Sequence, residues 1–179
     1  MGFHVGWISV KGKTPKEVQA DLGLSETGER EFMPESELTG AQLPSGWYLI
    51  FVNDLAAREL EDDVLVHLSR GAEVMSFLVE EASMVSVAKG FSDGRHEWQV
   101  VHDSSQGLGH LETEGQLPAS FSVVRDQLLA ELKSAGDHSA DYLFDVPADL
   151  SKSITGYRHD EDVEGADGDP FAVLERRPA

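Results

Sequence analysis

The segment WYLIFV, Trp47 to Val52, constrains the fold more than any other part of this chain. It is an unbroken apolar run of strand length. Strand side chains alternate between two faces, so such a run predicts a strand covered on both. HEWQVVHD, residues 96–103, carries a different message. Trp98, Val100 and His102 share one face, and Gln99, Val101 and Asp103 share the other. Trp98 and Val100 are expected in the core, with Gln99 nearer to water.

The remaining elements follow from punctuation and period. Phe3 to Val10 reads as a strand. In TPKE, Thr14 caps a short helix, Pro15 suits its first position, Glu17 completes a capping box, and Gly23 ends it. Residues 25–45 are polar, marked by Gly and Pro and without period, and read as a long loop. Leu60, Val64, Leu65 and Leu68 fall at helical spacing, with Asn53 or Asp54 as cap and Gly71 as stop. Strands are expected at about 73–80, 83–89 and 95–102, with VEEAS, residues 79–83, a weak turn signal between the first two. Asp93-Gly94 predicts a tight hairpin that sets Val85 opposite His102 and Val87 opposite Val100. Pro118 opens an amphipathic helix bearing Phe121, Val124, Leu128, Leu129 and Leu132, which Gly136 closes. DYLFDV reads as a short strand or extended stretch, and Pro147 starts a last helix that Gly156 ends. Residues 159–179 begin acidic and read as a tail. The chain is thus expected to be α+β, one domain over residues 1–158. Its mostly antiparallel curved sheet of about five strands would pack against helices in the order β-α-β-α-β-β-β-α-α.

Charge narrows the function. Thirty-three acids face fourteen lysines and arginines, a formal −19. Phosphate backbones are bound through Lys and Arg, and anionic membranes attract bases, so neither nucleic acid nor a membrane is an expected partner. No apolar run is long enough to span a bilayer, and MGFHVGWISV lacks the pattern of a secretory signal. A cytoplasmic location is the default expectation. The absence of cysteine excludes disulfides, thiolate catalysis and cysteine-ligated metals. The charge itself serves solubility, or steers a basic protein partner. The residues for the second role would be Glu59, Glu61, Asp62 and Asp63, together with the tail from Asp160 to Asp169.

Motifs for chemistry are sparse. His102 and Asp103 point to opposite faces of a strand, so they cannot grip one metal together. The simplest reading of His102 is a partly buried histidine with one hydrogen-bond partner, and of Asp103 a turn former. Glu80, Ser83 and His102 would meet at one sheet end if residues 81 and 82 form a tight turn. That trio is the candidate catalytic set of a small hydrolase, although no G-x-S-x-G elbow is present. No metal or other cofactor is expected: there is no HExxH, and the histidines at 4, 67, 96, 102, 110, 138 and 159 are spread along the chain. DEDVEGADGDPF, from Asp160, mimics a calcium loop, but Phe171 stands where a bidentate Glu belongs. Tyr157, Arg158 and His159 sit just past a helix end, where cations are favoured. Trp7, Trp47, Trp98 and Tyr157 could line a pocket or fill the core.

GWISVKGKTPKEVQADLGL, SGWYLIFVND, DGRHEWQVVHD and ITGYRHD together resemble a group of uncharacterised bacterial proteins. The resemblance spans most of the chain to about residue 160. It implies a bacterial cytoplasmic protein and brings no activity with it. The leading expectation is a non-enzymatic binding or regulatory protein, an immunity or antitoxin-like inhibitor being one version. The hydrolase and a small-molecule-binding domain are the alternatives.

Overall fold

The computed structural model describes residues 2–136 and 141–178. It is α+β: four α-helices and one nine-stranded antiparallel sheet. The strands are β1 (His4–Lys11), β2 (Leu24–Glu31), β3 (Leu38–Gln42), β4 (Tyr48–Val52), β5 (Glu73–Glu80), β6 (Val85–Ser92), β7 (Arg95–Asp103), β8 (Glu112–Gly115) and β9 (Phe171–Arg176). Their order across the sheet is β2-β9-β3-β4-β1-β5-β6-β7-β8. The helices are α1 (Pro15–Leu22), α2 (Asp62–Leu68), α3 (Phe121–Ala135) and α4 (Val146–Thr155).

The continuous apolar run does what its pattern requires. All five residues of β4 are buried. Leu49 and Phe51 enter a core beneath α3 and α4, while Tyr48, Ile50 and Val52 enter a second core beneath α1 and α2. Strand β1 divides likewise, with Val5 and Trp7 on the first face and Ile8 and Val10 on the second. The sheet is therefore sandwiched between two helical layers over its central strands.

Five strands were expected and nine are present, for two reasons. Residues 25–45 are not a loop but hold β2 and β3. Their strand pattern is masked because β2 is an edge strand with mostly exposed side chains, bulged between Glu26 and Arg30 where Gly28 has φ +94°. Charge and a bulge on an edge strand block pairing with other chains. Residues 159–179 are not a free tail either. Strand β9 inserts between β2 and β3, pairing Glu26 with Leu174 and Gly40 with Ala172. The sheet thus draws on both sides of the expected boundary at residue 158.

Several local expectations hold. Thr14 and Glu17 form the full capping box, and Gly23 closes α1 in the left-handed region at φ +67°. The Asp93-Gly94 turn has positive φ at both residues, as a tight hairpin needs. Trp98 and Val100 are buried at 8% and 0% exposure, and Gln99 is half-buried. The hairpin register nevertheless differs by one. A bulge at Glu97 shifts the pairing, so Ala88 lies opposite Val100 and Ser86 opposite His102. The same bulge sends His96 to the other face, against Phe91 at 5.1 Å between ring centroids. DYLFDV is not extended: Tyr142–Asp145 is a 3-10 turn that runs straight into α4. The expected second helix is also split, into a 3-10 turn at Arg58–Leu60 and the short α2.

One ion pair ties the late strand to the early chain. Glu59 has a side chain 1% exposed and receives both arms of Arg176, Nε at 2.9 Å and Nη2 at 2.9 Å. Arg58 Nε adds a third contact at 3.3 Å. Burial disfavours the Glu59 charge, but the Arg176 hydrogen bonds outweigh it and hold the carboxyl below its ordinary range. A carboxyl depressed on folding stabilises above its unfolded pKa, and that stability is lost as pH falls through the folded value. Arg176→Ala leaves a buried carboxylate short of its main partner. It should cost about 3 kcal/mol at neutral pH. It should also move the acid-unfolding midpoint to higher pH. Chemical denaturation across a pH series reads both effects, and the Glu59→Gln/Arg176→Ala double variant should recover part of the loss.

Candidate functional site

On the face that α1 and α2 cover, the cover beyond β1 reaches only the end of the strands where Val74 and Phe91 are buried. A single row of paired residues crosses that face: Leu38, Val52, Gly6, Leu78, Val87, Val101 and Glu112. Leu38 and Val52 are buried beneath the helices. Leu60 lies on Gly6, so close that an added Cβ there would meet its Cδ1 at 2.8 Å. Past that point Leu78, Val87 and Val101 are only half-buried, as is Val85 in the neighbouring row. Burial alternates residue by residue along β6 and β7, whereas it is continuous along β4. On β6 and β7 one face packs against α4 and the 3-10 turn; the other meets α2 near Phe91 and is open toward Val85, Val87 and Val101.

The margin of the open face is acidic. Opposed side chains on paired strands share a face. Glu80 and Asp103 flank Val85, Glu112 extends the apolar row, and Glu114 lies opposite Gln99. Hydrogen bonds from Ser105 and Gln106 hold the Asp103 carboxyl below its ordinary range, so it keeps its charge. Gln99 donates to Glu114 at 3.1 Å. One lysine enters, Lys89, and its ammonium is bound to Asp62 at 2.7 Å.

The residues expected to carry function are dispersed. Glu61, Asp62 and Asp63 are exposed at the start of α2, as anticipated, but Glu59 is buried and neutralised by arginines. It is not part of a free acidic surface; it forms one wall of a cavity of about 240 Å³ that Asp21, Leu22, Asp63 and Val64 also line. Two of the tail acids are engaged, Asp160 by Arg158 and Glu161 by Lys152, while Asp162, Glu164, Asp167 and Asp169 are exposed. They do not converge as calcium ligands would.

Glu80, Ser83 and His102 are not assembled. Ser83 is exposed on the 81–84 turn and its hydroxyl donates to the Glu80 carbonyl at 3.5 Å. The Glu80 carboxylate is paired with His4. His102 is completely buried, with two partners where one was expected: Nδ1 donates to the His110 carbonyl at 2.7 Å and Nε2 meets Asp141 Oδ2 at 2.7 Å. A carbonyl only accepts, so Nδ1 carries a hydrogen, and neither ring nitrogen is left for a serine. Asp141 also caps the 3-10 turn, accepting from Phe144 N at 3.3 Å. His102 therefore fastens β7 to the chain that leads into α4. Asp103 is the expected turn former, accepting from Ser105 N at 2.9 Å.

Tyr157, Arg158 and His159 serve the same helix. Arg158 binds Asp145 at 2.8 Å, Asp160 at 2.7 Å and Asp149, so direct ion pairs rather than the helix end explain its place. Tyr157 is core, edge-on to Trp7 at 5.8 Å. His159 is wedged between Phe3 and Phe77 at 4.8 and 5.1 Å, and burial lowers its pKa below the ordinary value.

Among the described residues no group of three or more His, Asp or Glu side chains is arranged to hold a metal, and no helix is long and apolar enough to cross a membrane. His138 lies outside the described residues. No protein-family model matches the chain, and no curated protein or solved structure matches it. The resemblance to uncharacterised bacterial proteins therefore brings no family assignment.

The Asp141 carboxylate was not legible beforehand because it lies 39 residues from its histidine. Asp141→Ala leaves a buried imidazole nitrogen without a partner, which should destabilise by about 1–3 kcal/mol. Asp141→Asn keeps a polar partner and should cost less. Urea midpoints for the two variants decide this.

Proposed function

We propose that the chain is a non-enzymatic binding protein that docks a basic protein partner on the open sheet face. The observation that carries this reading is the half-buried row Leu78, Val87 and Val101, bordered by Glu80, Asp103, Glu112 and Glu114. An exposed apolar strip with a charged rim has the anatomy of an interface. The patch is small. Three strands of about eight residues and the four-residue β8, spaced about 4.8 Å apart, give a plane of at most roughly 15 by 27 Å, on the order of half of what a standard interface covers on one partner.

The magnitudes assign the roles. Completing the burial of three half-exposed aliphatic side chains contributes about 3 kcal/mol in all, well short of the roughly 8 kcal/mol of a micromolar complex. The apolar row sets position, and the rest must come from contacts along the rim. The acidic rim and the net charge of −19 favour a basic partner and speed its approach. An inhibitor of the immunity or antitoxin kind, which masks a basic target, fits this chemistry.

Val87→Asp and Val101→Asp place charge on the row without touching either core. Each should lower stability by about 1 kcal/mol, from lost strand propensity and partial burial, and leave the fold intact. Affinity capture from the native host at low salt should recover a basic protein with the wild type and lose it with both variants. On-rates for the captured partner should fall steeply with salt, as steering through a Debye length of about 8–10 Å requires. Undiminished capture by the variants would show that the partner binds elsewhere.

A further inference from the structure

A second feature lies on the helix-covered side and is independent of the docking face. Where β5 begins and β6 ends, a cavity of about 270 Å³ is walled by Trp47 and Trp98. Gly90 is part of its lining because no larger residue fits: an added Cβ would fall 2.1 Å from Trp98 Nε1. Glu73 and Glu97 line the same cavity, and Ile154 of α4 contributes an aliphatic wall. The volume matches roughly nine waters, or a ligand with a similar number of heavy atoms.

We propose that this cavity binds a small organic cation, a methylated or quaternary ammonium group held by the Trp47 and Trp98 rings with Glu73 and Glu97 as counter-charges. Indole faces carry the negative side of the ring quadrupole, and tryptophan is the strongest cation–π partner among side chains. The structure already has one ammonium at this end: Lys11 Nζ stands 5.8 Å from the centroid of the Trp47 ring. Lys11 lies directly across from Glu73 in the β1–β5 register, which puts that carboxylate on the same face of the sheet as the ammonium. Glu97 has an arginine neighbour, Arg95 at 3.5 Å, but that arginine is 75% exposed, and such surface pairs bind weakly. A quaternary ammonium suits the cavity better than a primary amine, since its methyl groups fill apolar walls and it loses less hydration on entry.

Tetramethylammonium and choline are the probes, titrated at constant ionic strength and followed through the indole N–H signals of 15N-labelled protein. The expected result is a saturable shift of the Trp47 and Trp98 signals, with a dissociation constant of about millimolar order. Glu73→Gln should weaken binding about threefold, and 3,3-dimethylbutan-1-ol, the neutral isostere of choline, should bind about tenfold more weakly. No saturable shift up to about 100 mM overturns the proposal. So does equal binding of the isostere, which would make the cavity an apolar hole without preference for charge. Val101 lies on the opposite side of β7 from Trp98, so either outcome leaves the protein-docking reading to its own test.

Discussion

Everything in this fold depends on hiding both faces of β1 and β4. Ile8, Val10, Ile50 and Val52 need cover on one side, and Trp7, Leu49 and Phe51 need it on the other. Each such residue contributes about 1.5–3 kcal/mol only when fully covered, so one layer of helices leaves half of that unrealised. The chain meets the demand with α1 and α2 above and α3 and α4 below. α1 and α2 span only 8 and 7 residues, and on β5 and β6 they cover only the end that carries Val74 and Phe91. The half-covered strands β6 and β7 follow directly from that shortage, and the open face is what remains.

The last strand closes the other side of the sheet. β9 carries Phe171 into one core and Leu174 into the other, and its Arg176 reaches the buried Glu59 more than a hundred residues earlier. Without that arginine Glu59 would be a badly placed carboxylate. A buried ion pair is weak evidence for stability in itself, because desolvation cancels much of its attraction. Here it joins the end of β9 to the turn before α2. His102 and Asp141 do the same on the opposite side, linking β7 to the segment that becomes α4.

The polar groups most suggestive of chemistry are thus consumed by architecture. His102 has both nitrogens engaged, Arg158 gathers Asp145, Asp149 and Asp160 around the end of α4, and Glu59 is neutralised. Carboxylates beside half-buried valines remain on one side and a tryptophan-walled cavity on the other. The two proposed binding roles rest on these arrangements.

Local signals in the sequence determined the capping box of α1, the Asp93-Gly94 turn, the doubly covered β4 and the parity of Trp98 and Val100. Each depends on neighbours within a few residues, where backbone preference and side-chain period act directly. The faces of Val85 and Val87 were not among them: an unbulged hairpin sets both valines with Trp98 and Val100, and the bulge at Glu97 turns them to the open face. Other features were decided only in three dimensions. Strand β2 carries the composition of a loop and becomes a strand because β9 supplies its hydrogen-bond partners. The register at His102 depends on one bulged residue, Glu97, and the number of strands depends on a segment that reads as a tail. Long-range pairing of this kind leaves no local period, because the free energy that stabilises each strand comes from a partner distant in the chain.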